Sequence, residues 1–166
     1  MSIQQTSKPQ RAASLGFTLI ELMIVVAVIS ILAAIAISSY SSYVVKTNRS
    51  AATGCMSEYA NYMERFYTNS LNYAETPASS STAAPVPNPA TGSPISPMVL
   101  DCASTAQTGN NYEYGVPAPT ATSYIIQATP IGSQATRDTQ CGTLTLDQHG
   151  TRTNSGTGTL AQCWGG

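Results

Sequence analysis

The sequence predicts an α+β protein in which a long N-terminal helix packs on a small antiparallel sheet. Three observations carry this. Phe17–Ile37 is almost wholly apolar. From Val45 a helical period continues through Ala52, Cys55, Met56, Tyr59, Met63 and Phe66, at three- and four-residue steps. After Cys102 the chain breaks into short runs rich in β-formers, Tyr112–Val116, Ser123–Thr129 and Thr143–Gln148, divided by Gly, Pro and Asn.

The apolar run comes first. Its 21 residues would span roughly 30 Å as a helix, the thickness of one bilayer core. It is too long for the apolar part of a secretory signal, and no small-x-small cleavage site follows before Tyr40. Lys8 and Arg11 precede it without any acid, so the positive-inside rule keeps residues 1–16 cytoplasmic and puts everything after Ile37 outside. No proline or glycine interrupts Ser38–Ser42, which predicts one helix from about Phe17 to Ser70. In its second half Thr53, Ser57, Glu58, Asn61, Glu64 and Arg65 occupy the faces away from the apolar stripe. Gly54 weakens that half by about 1 kcal/mol relative to alanine.

Thr76–Pro97 holds six of the ten prolines among Ser, Thr and Ala. Such a composition buries too little apolar area to offset ordering entropy, which predicts a long surface loop. In the last third, Leu144 and Leu146 alternate with Thr143, Thr145 and Asp147, a strand with one buried face. A fourth short strand is expected near Leu160–Trp164. The predicted organisation is a leader at 1–16, a membrane and assembly helix at 17–45 and a globular domain at 46–166.

Only 9% of the 166 residues are charged. Removing residues 1–16 takes Lys8 and Arg11, leaving 5 basic side chains against 8 acidic ones, a net of −3. That balance argues against a generic nucleic-acid binder, though not against a local basic stripe. Cys55, Cys102, Cys141 and Cys163 form no closely spaced pair, and His149 is the sole histidine. A metal site is therefore not expected, nor any cofactor. An even cysteine count beyond a membrane segment points to two disulfides in an oxidising compartment. Of the three possible connectivities, Cys55–Cys102 and Cys141–Cys163 is favoured. The first bridge would tie the far end of the proline-rich loop to the helix, and the second would close the C-terminal tail.

The most informative stretch is Gly16-Phe17-Thr18-Leu19-Ile20-Glu21. A small residue joins a cationic leader directly to the apolar run, so a cut there leaves the run on the product. Glu21 sits four residues inside that run, and an intramembrane acid calls for a partner. Together with the run, GFTLIELMIVVAVISILAAIAI closely resembles the class III signal of the type IV prepilin family. The resemblance extends to Arg49–Tyr73, with ERFY at Glu64–Tyr67, and to the tail from Tyr124 to Trp164, where minor-pilin-like type IV pilins are similar. It implies the pilin fold. It also implies that prepilin peptidase cuts after Gly16, that Phe17 becomes an N-methylated terminus, and that Glu21 pairs with the Phe17 amine of a neighbouring subunit. The family's glycine and proline that bound a melting segment are Ser30 and Ser38 in this sequence.

The function expected is that of a structural subunit of a type IV pilus, not of an enzyme. Its partners would be other pilin subunits, prepilin peptidase, the inner membrane and the pilus assembly machinery. It would be held in the inner membrane with a periplasmic domain and then carried into an extracellular fibre. Some members of the group are minor pilins that bind DNA uptake sequences, so a DNA receptor is the first alternative. A type II secretion pseudopilin is the second. Asp147 and His149, two apart on a strand, read as a solvated face, and Gly156-Thr157-Gly158 reads as a loop tip.

Overall fold

A computed structural model describes residues 16–78 and 83–165. The expectations placed on 1–15, including Lys8 and Arg11 of the leader, and on 79–82 of the proline-rich segment lie outside the described residues. The chain divides into two compact units, Met1–Tyr40 and Ser41–Gly166.

Helix α1, Leu19–Ser70, is 52 residues long. Thr18 caps its start: the Leu22 N–H donates to the Thr18 carbonyl at 3.2 Å, and the Glu21 N–H to Thr18 Oγ1 at 3.3 Å. Glu21 thereby falls in the first turn, where a carboxylate favours the positive end of the helix dipole. The helix continues through Ser30, whose hydroxyl donates to the Val26 carbonyl at 2.7 Å, and through Ser38.

In the second unit, β3 (Tyr112–Gly115), β4 (Ile125–Pro130), β5 (Leu144–Asp147) and β6 (Arg152–Asn154) form an antiparallel meander in the order 3-4-5-6. Side-chain alternation gives the sheet one buried face. Tyr112 and Tyr114, Ile126 and Ala128, and Leu144 and Leu146 join Ala52, Cys55, Met56, Tyr59 and Met63 of α1 in a single core. The register sets Tyr114, Ala128 and Leu144 side by side across three strands. Phe66, expected in the stripe, is half-buried instead, while Ser70 is buried and donates to the Phe66 carbonyl at 2.8 Å.

Two expectations need correction. The segment from Thr76 to Pro97 is not merely a surface loop. Glu75–Thr76 (β1) and Val86–Pro87 (β2) pair as a small ribbon, and Asn88, Ala90 and Ile95 are buried. Asn88 Nδ2 donates to the Tyr73 carbonyl at 2.8 Å, while Asn88 Oδ1 accepts from the Ala90 N–H at 3.0 Å. Ile95 N–H donates to the Tyr114 carbonyl at 2.9 Å, which lays the segment along the free edge of β3. A few anchors of polar satisfaction dock what average composition leaves loose. Second, the fourth strand is β6, and Leu160–Trp164 is a short helix, α3. Thr159 and Gln162 make a capping box at its start, and Gly165, at φ 66°, ends it in the left-handed conformation. Five residues so capped cannot also extend the meander. A short helix α2, Gly132–Arg137, connects β4 to the turn before β5.

Candidate functional site

The N-terminal segment is the first element with chemistry. Every residue from Gly16 to Tyr40 is exposed, among them Phe17, Leu19, Ile20, Leu22, Ile31 and Ile37, and Phe17 and Leu19 are 77% and 76% accessible. A row of large apolar side chains left uncovered by its own chain needs a lipid or a protein around it. The helix is long and apolar enough to cross a membrane. Glu21 is the one acid on it before Glu58. A β-carbon added at Gly16 would meet nothing within 4 Å.

The second element is a polar knot inside the globular unit. Arg49 is 8% exposed. Its Nε and Nη2 donate to the two carboxylate oxygens of Asp138 at 2.8 and 2.6 Å, a bidentate pair, and its Nη1 donates to the Gln162 carbonyl at 2.8 Å. Burial works against the charged guanidinium, but the hydrogen bonds and charge of Asp138 outweigh it and hold Arg49 above its ordinary value. Gln134 Nε2 donates to the Val45 carbonyl, the Tyr112 hydroxyl and Asp138 at 3.0–3.1 Å, and Tyr112 donates to Asp138 at 3.0 Å. Four elements, α1, α2, β3 and α3, are joined at this point.

The four cysteines form two disulfides, Cys55–Cys102 and Cys141–Cys163, the pairing favoured from the sequence. Beside the second, Arg152 lies over the Trp164 ring at 5.4 Å, and Trp164 Nε1 donates to the Thr153 carbonyl at 3.1 Å. Asp147 does not form a strand-face pair with His149. Its Oδ1 accepts the backbone N–H groups of His149 and Thr151 at 2.9 and 2.8 Å, which builds the β5–β6 turn. Gly158 N–H donates to the Gln140 carbonyl at 2.7 Å. A β-carbon at Gly156 would run into that same carbonyl, so the two glycines serve close packing there. Among the described residues no group of His, Cys, Asp and Glu could hold a metal ion.

Residues 38–145 match the model of a family described as type IV minor pilin ComP, DNA uptake sequence receptor. The chain belongs to this pilin family. Residues 11–37 match a second model, the prokaryotic N-terminal methylation motif. Among similar proteins, this pilin is 53% identical over 51 residues to the fimbrial protein EcpC of Eikenella corrodens, covering 26% of this chain and 33% of that protein. It is 55% identical over 42 residues to the type IV major alpha-pilin of Moraxella bovis, covering 25% and 26%. It is 37% identical over 70 residues to the type IV major pilin protein PilE1 of Neisseria gonorrhoeae, covering 42% of each. The pilin thus spans about a quarter to two-fifths of the curated relatives it matches. A type IV pilin structure from Shewanella oneidensis overlaps 65% of this chain and 89% of its own at 22% identity and a TM-score of 0.38, too loose a fit to argue from.

Sequence reasoning placed the apolar segment and the cysteines but missed the knot. Arg49 falls four residues from Val45 and three from Ala52, within the apolar stripe. A charged residue at a core position of a helix was the available signal for a buried partner.

Proposed function

We propose that this pilin is a subunit of a type IV pilus, cut between Gly16 and Phe17 by prepilin peptidase, methylated on the Phe17 amine and polymerised through residues 17–45. The single observation that supports it best is the uncovered apolar surface from Phe17 to Ile37 at the start of α1. Before assembly the inner membrane covers it, with residues 46–166 on the periplasmic side. In the fibre the same surface is covered by equivalent helices of neighbours. Contacts of one face with a different face do not close, so they propagate as a filament. Glu21 pairs with the Phe17 amine of the next subunit. Such a pair contributes little to stability but fixes axial register among apolar helices. Catalysis has no part in this reading, which calls for no metal and no cofactor. The secretion pseudopilin reading is set aside, because the family matched over 38–145 is one of pilus subunits.

The test is intact-mass and N-terminal analysis of the chain taken from sheared fibres. The expected species starts at methylated Phe17, and Gly16→Leu accumulates an uncut precursor in the membrane. A mature terminus beyond Ile37 would falsify the reading. A second reading, DNA capture by the fibre, is favoured by the description of the matched family, a DNA uptake sequence receptor. The expectation against nucleic acid rested on net charge alone, and a net charge says nothing of where the charges lie.

A further inference from the structure

Residues 41–166 carry five basic and seven acidic side chains, a net of −2, yet the end of this unit next to the apolar stretch is positive. Between Glu21 and Glu58, α1 has no acid and carries Lys46 and Arg49. Arg49 turns inwards to Asp138, and Gln134 of α2 donates to the Val45 carbonyl at 3.1 Å. These bonds dock the C-terminal end of α2 against α1. Arg137, the last residue of α2, is thereby brought to the same depression as Lys46. The depression holds about 350 Å³, within the range of roughly 300–1,000 Å³ of small-ligand sites.

The charge in this depression is unbalanced. Of the acidic side chains only Asp138 lines it among the described residues. Both oxygens of Asp138 are taken by Arg49, with Tyr112 and Gln134 on the second. Lys46 and Arg137 are exposed. Two like charges on the walls of one depression repel each other unless an anion sits between them. Ser41 and Gln140 add a hydroxyl and an amide to the lining, both able to donate to a phosphate oxygen.

The chain fixes how far this depression lies from the apolar stretch. Ser41 is four residues beyond Ile37. Four residues reach at most about 14 Å in any conformation, so Ser41 stays within that distance of Ile37 however the two units are arranged. A headgroup layer is about 5–7 Å deep, and a charged surface is felt for about 8–10 Å beyond it. Helix side chains tilt towards the N-terminus, so Lys46 leans back towards Ser42. Tyr43, one turn before Lys46, is 69% accessible, and such amphipathic rings settle at a membrane–water boundary.

On the reading of residues 17–37 as a membrane span, we propose that this depression holds the phosphate headgroup of an anionic phospholipid between Lys46 and Arg137. The headgroup steadies the globular unit on the membrane surface before assembly. The test uses the full-length chain with Lys8→Gln and Arg11→Gln, so that the leader contributes no cation. It is reconstituted into vesicles of equal parts phosphatidylglycerol and phosphatidylcholine and extracted in neutral detergent. Native mass spectrometry then counts the lipids still bound. Each basic side chain near an anionic surface strengthens binding about fivefold, so bound phosphatidylglycerol should exceed phosphatidylcholine by about 25-fold. Lys46→Gln with Arg137→Gln should bring the two lipids to parity. Lys46→Arg with Arg137→Lys should keep the preference, as should Arg65→Gln. In the same detergent, short-chain phosphatidylglycerol should raise the thermal midpoint of the near-ultraviolet circular dichroism, and inorganic phosphate should not.

Equal retention of both lipids, or a preference that survives the double glutamine variant, overturns the site and leaves the membrane span in place. Stabilisation by inorganic phosphate as large as that by phosphatidylglycerol assigns the depression to a free anion and overturns the lipid assignment. A chain that fails to float with vesicles of phosphatidylcholine alone overturns the membrane reading, and the inference with it.

Discussion

The two stretches of α1 use the same backbone geometry under opposite obligations. From Leu19 to Tyr40 no side chain is buried by the chain itself. From Ser41 to Ser70 a stripe of eight residues, Val45 to Ser70, is buried against the sheet and the disulfides. The first stretch finds its partners outside the molecule, and the second carries them within the same chain. A change in the first should therefore alter assembly without altering the stability of the globular unit, and a change in the second should do the reverse.

The largest effect is expected from Glu21→Ala. It removes the one charge on the apolar stretch, so insertion into the membrane should be no worse. The thermal midpoint of the globular unit should stay where it is, while the proposed pairing of Glu21 with the Phe17 amine of the next subunit predicts that fibres disappear. Counting subunits in sheared fibres from a strain that carries only the variant checks this. Normal incorporation ends the register role of Glu21.

Next is Arg49→Ala, on the other stretch. It leaves the Asp138 carboxylate buried beside Tyr112 and Gln134 with its cation gone, a loss of about 3–5 kcal/mol for a broken buried pair. The paired change Arg49→Met with Asp138→Leu should recover most of that, because apolar replacements of similar volume leave no orphaned charge. Urea unfolding of the full-length chain in micelles measures both. Equal losses in the single and the paired variants would show that the knot holds α1, α2 and α3 together by hydrogen-bond geometry rather than by charge compensation.

The disulfides come third. The bridges separate their cysteines by 47 and 22 residues in sequence, and closing loops of that size removes about 4 and about 3 kcal/mol of unfolded-state freedom. Cys55→Ala with Cys102→Ala should lower the midpoint of the globular unit more than Cys141→Ala with Cys163→Ala. Neither pair should alter membrane retention, which the proposed function assigns to residues 17–37. A larger effect from the second pair would locate the weak point at α3, where the bridge and the Arg49 contact to the Gln162 carbonyl act together.

How much of this was legible in the sequence follows the same division. Residues 17–37 announce themselves by composition, because an uncovered segment carries no tertiary detail to hide. The stripe from Val45 to Met63 and the alternation at Leu144 and Leu146 were legible because helix and strand periods repeat. Asn88, Ala90 and Ile95 were not, since single anchors in a proline-rich segment have no period. Nor was α3, whose signal is the reciprocal bond of Thr159 and Gln162 rather than apolar spacing. Arg49 and Asp138 lie 89 residues apart in sequence, and nothing local in either announces the other.

The smallest and most graded effect separates the two stretches by pH. Tyr73, Tyr112, Tyr114 and Tyr124 of the globular unit are favoured in their neutral form. Burial pushes Tyr73 and Tyr114 up to about 12, and the Glu64 carboxylate, which accepts the Tyr73 hydroxyl at 3.0 Å, adds to the first. Tyr124, which also donates to Glu64 at 3.0 Å, and Tyr112 beside Asp138 are raised further, again chiefly by burial. A folded-state value above the ordinary one of about 10 means that the folded chain holds these protons more tightly than the unfolded chain. The stability linked to them is therefore complete below about pH 10 and declines as pH rises towards and beyond about 12. The near-ultraviolet circular dichroism of the full-length chain in micelles should be flat to about pH 10 and then fade, while the far-ultraviolet helical signal fades only in part. The residual helix belongs to Phe17–Ile37, which contains no tyrosine and no buried side chain to release. Tyr73→Phe with Tyr124→Phe should shift the fading to higher pH. If the helical and tertiary signals vanish together at one pH, the two stretches of α1 melt as one unit.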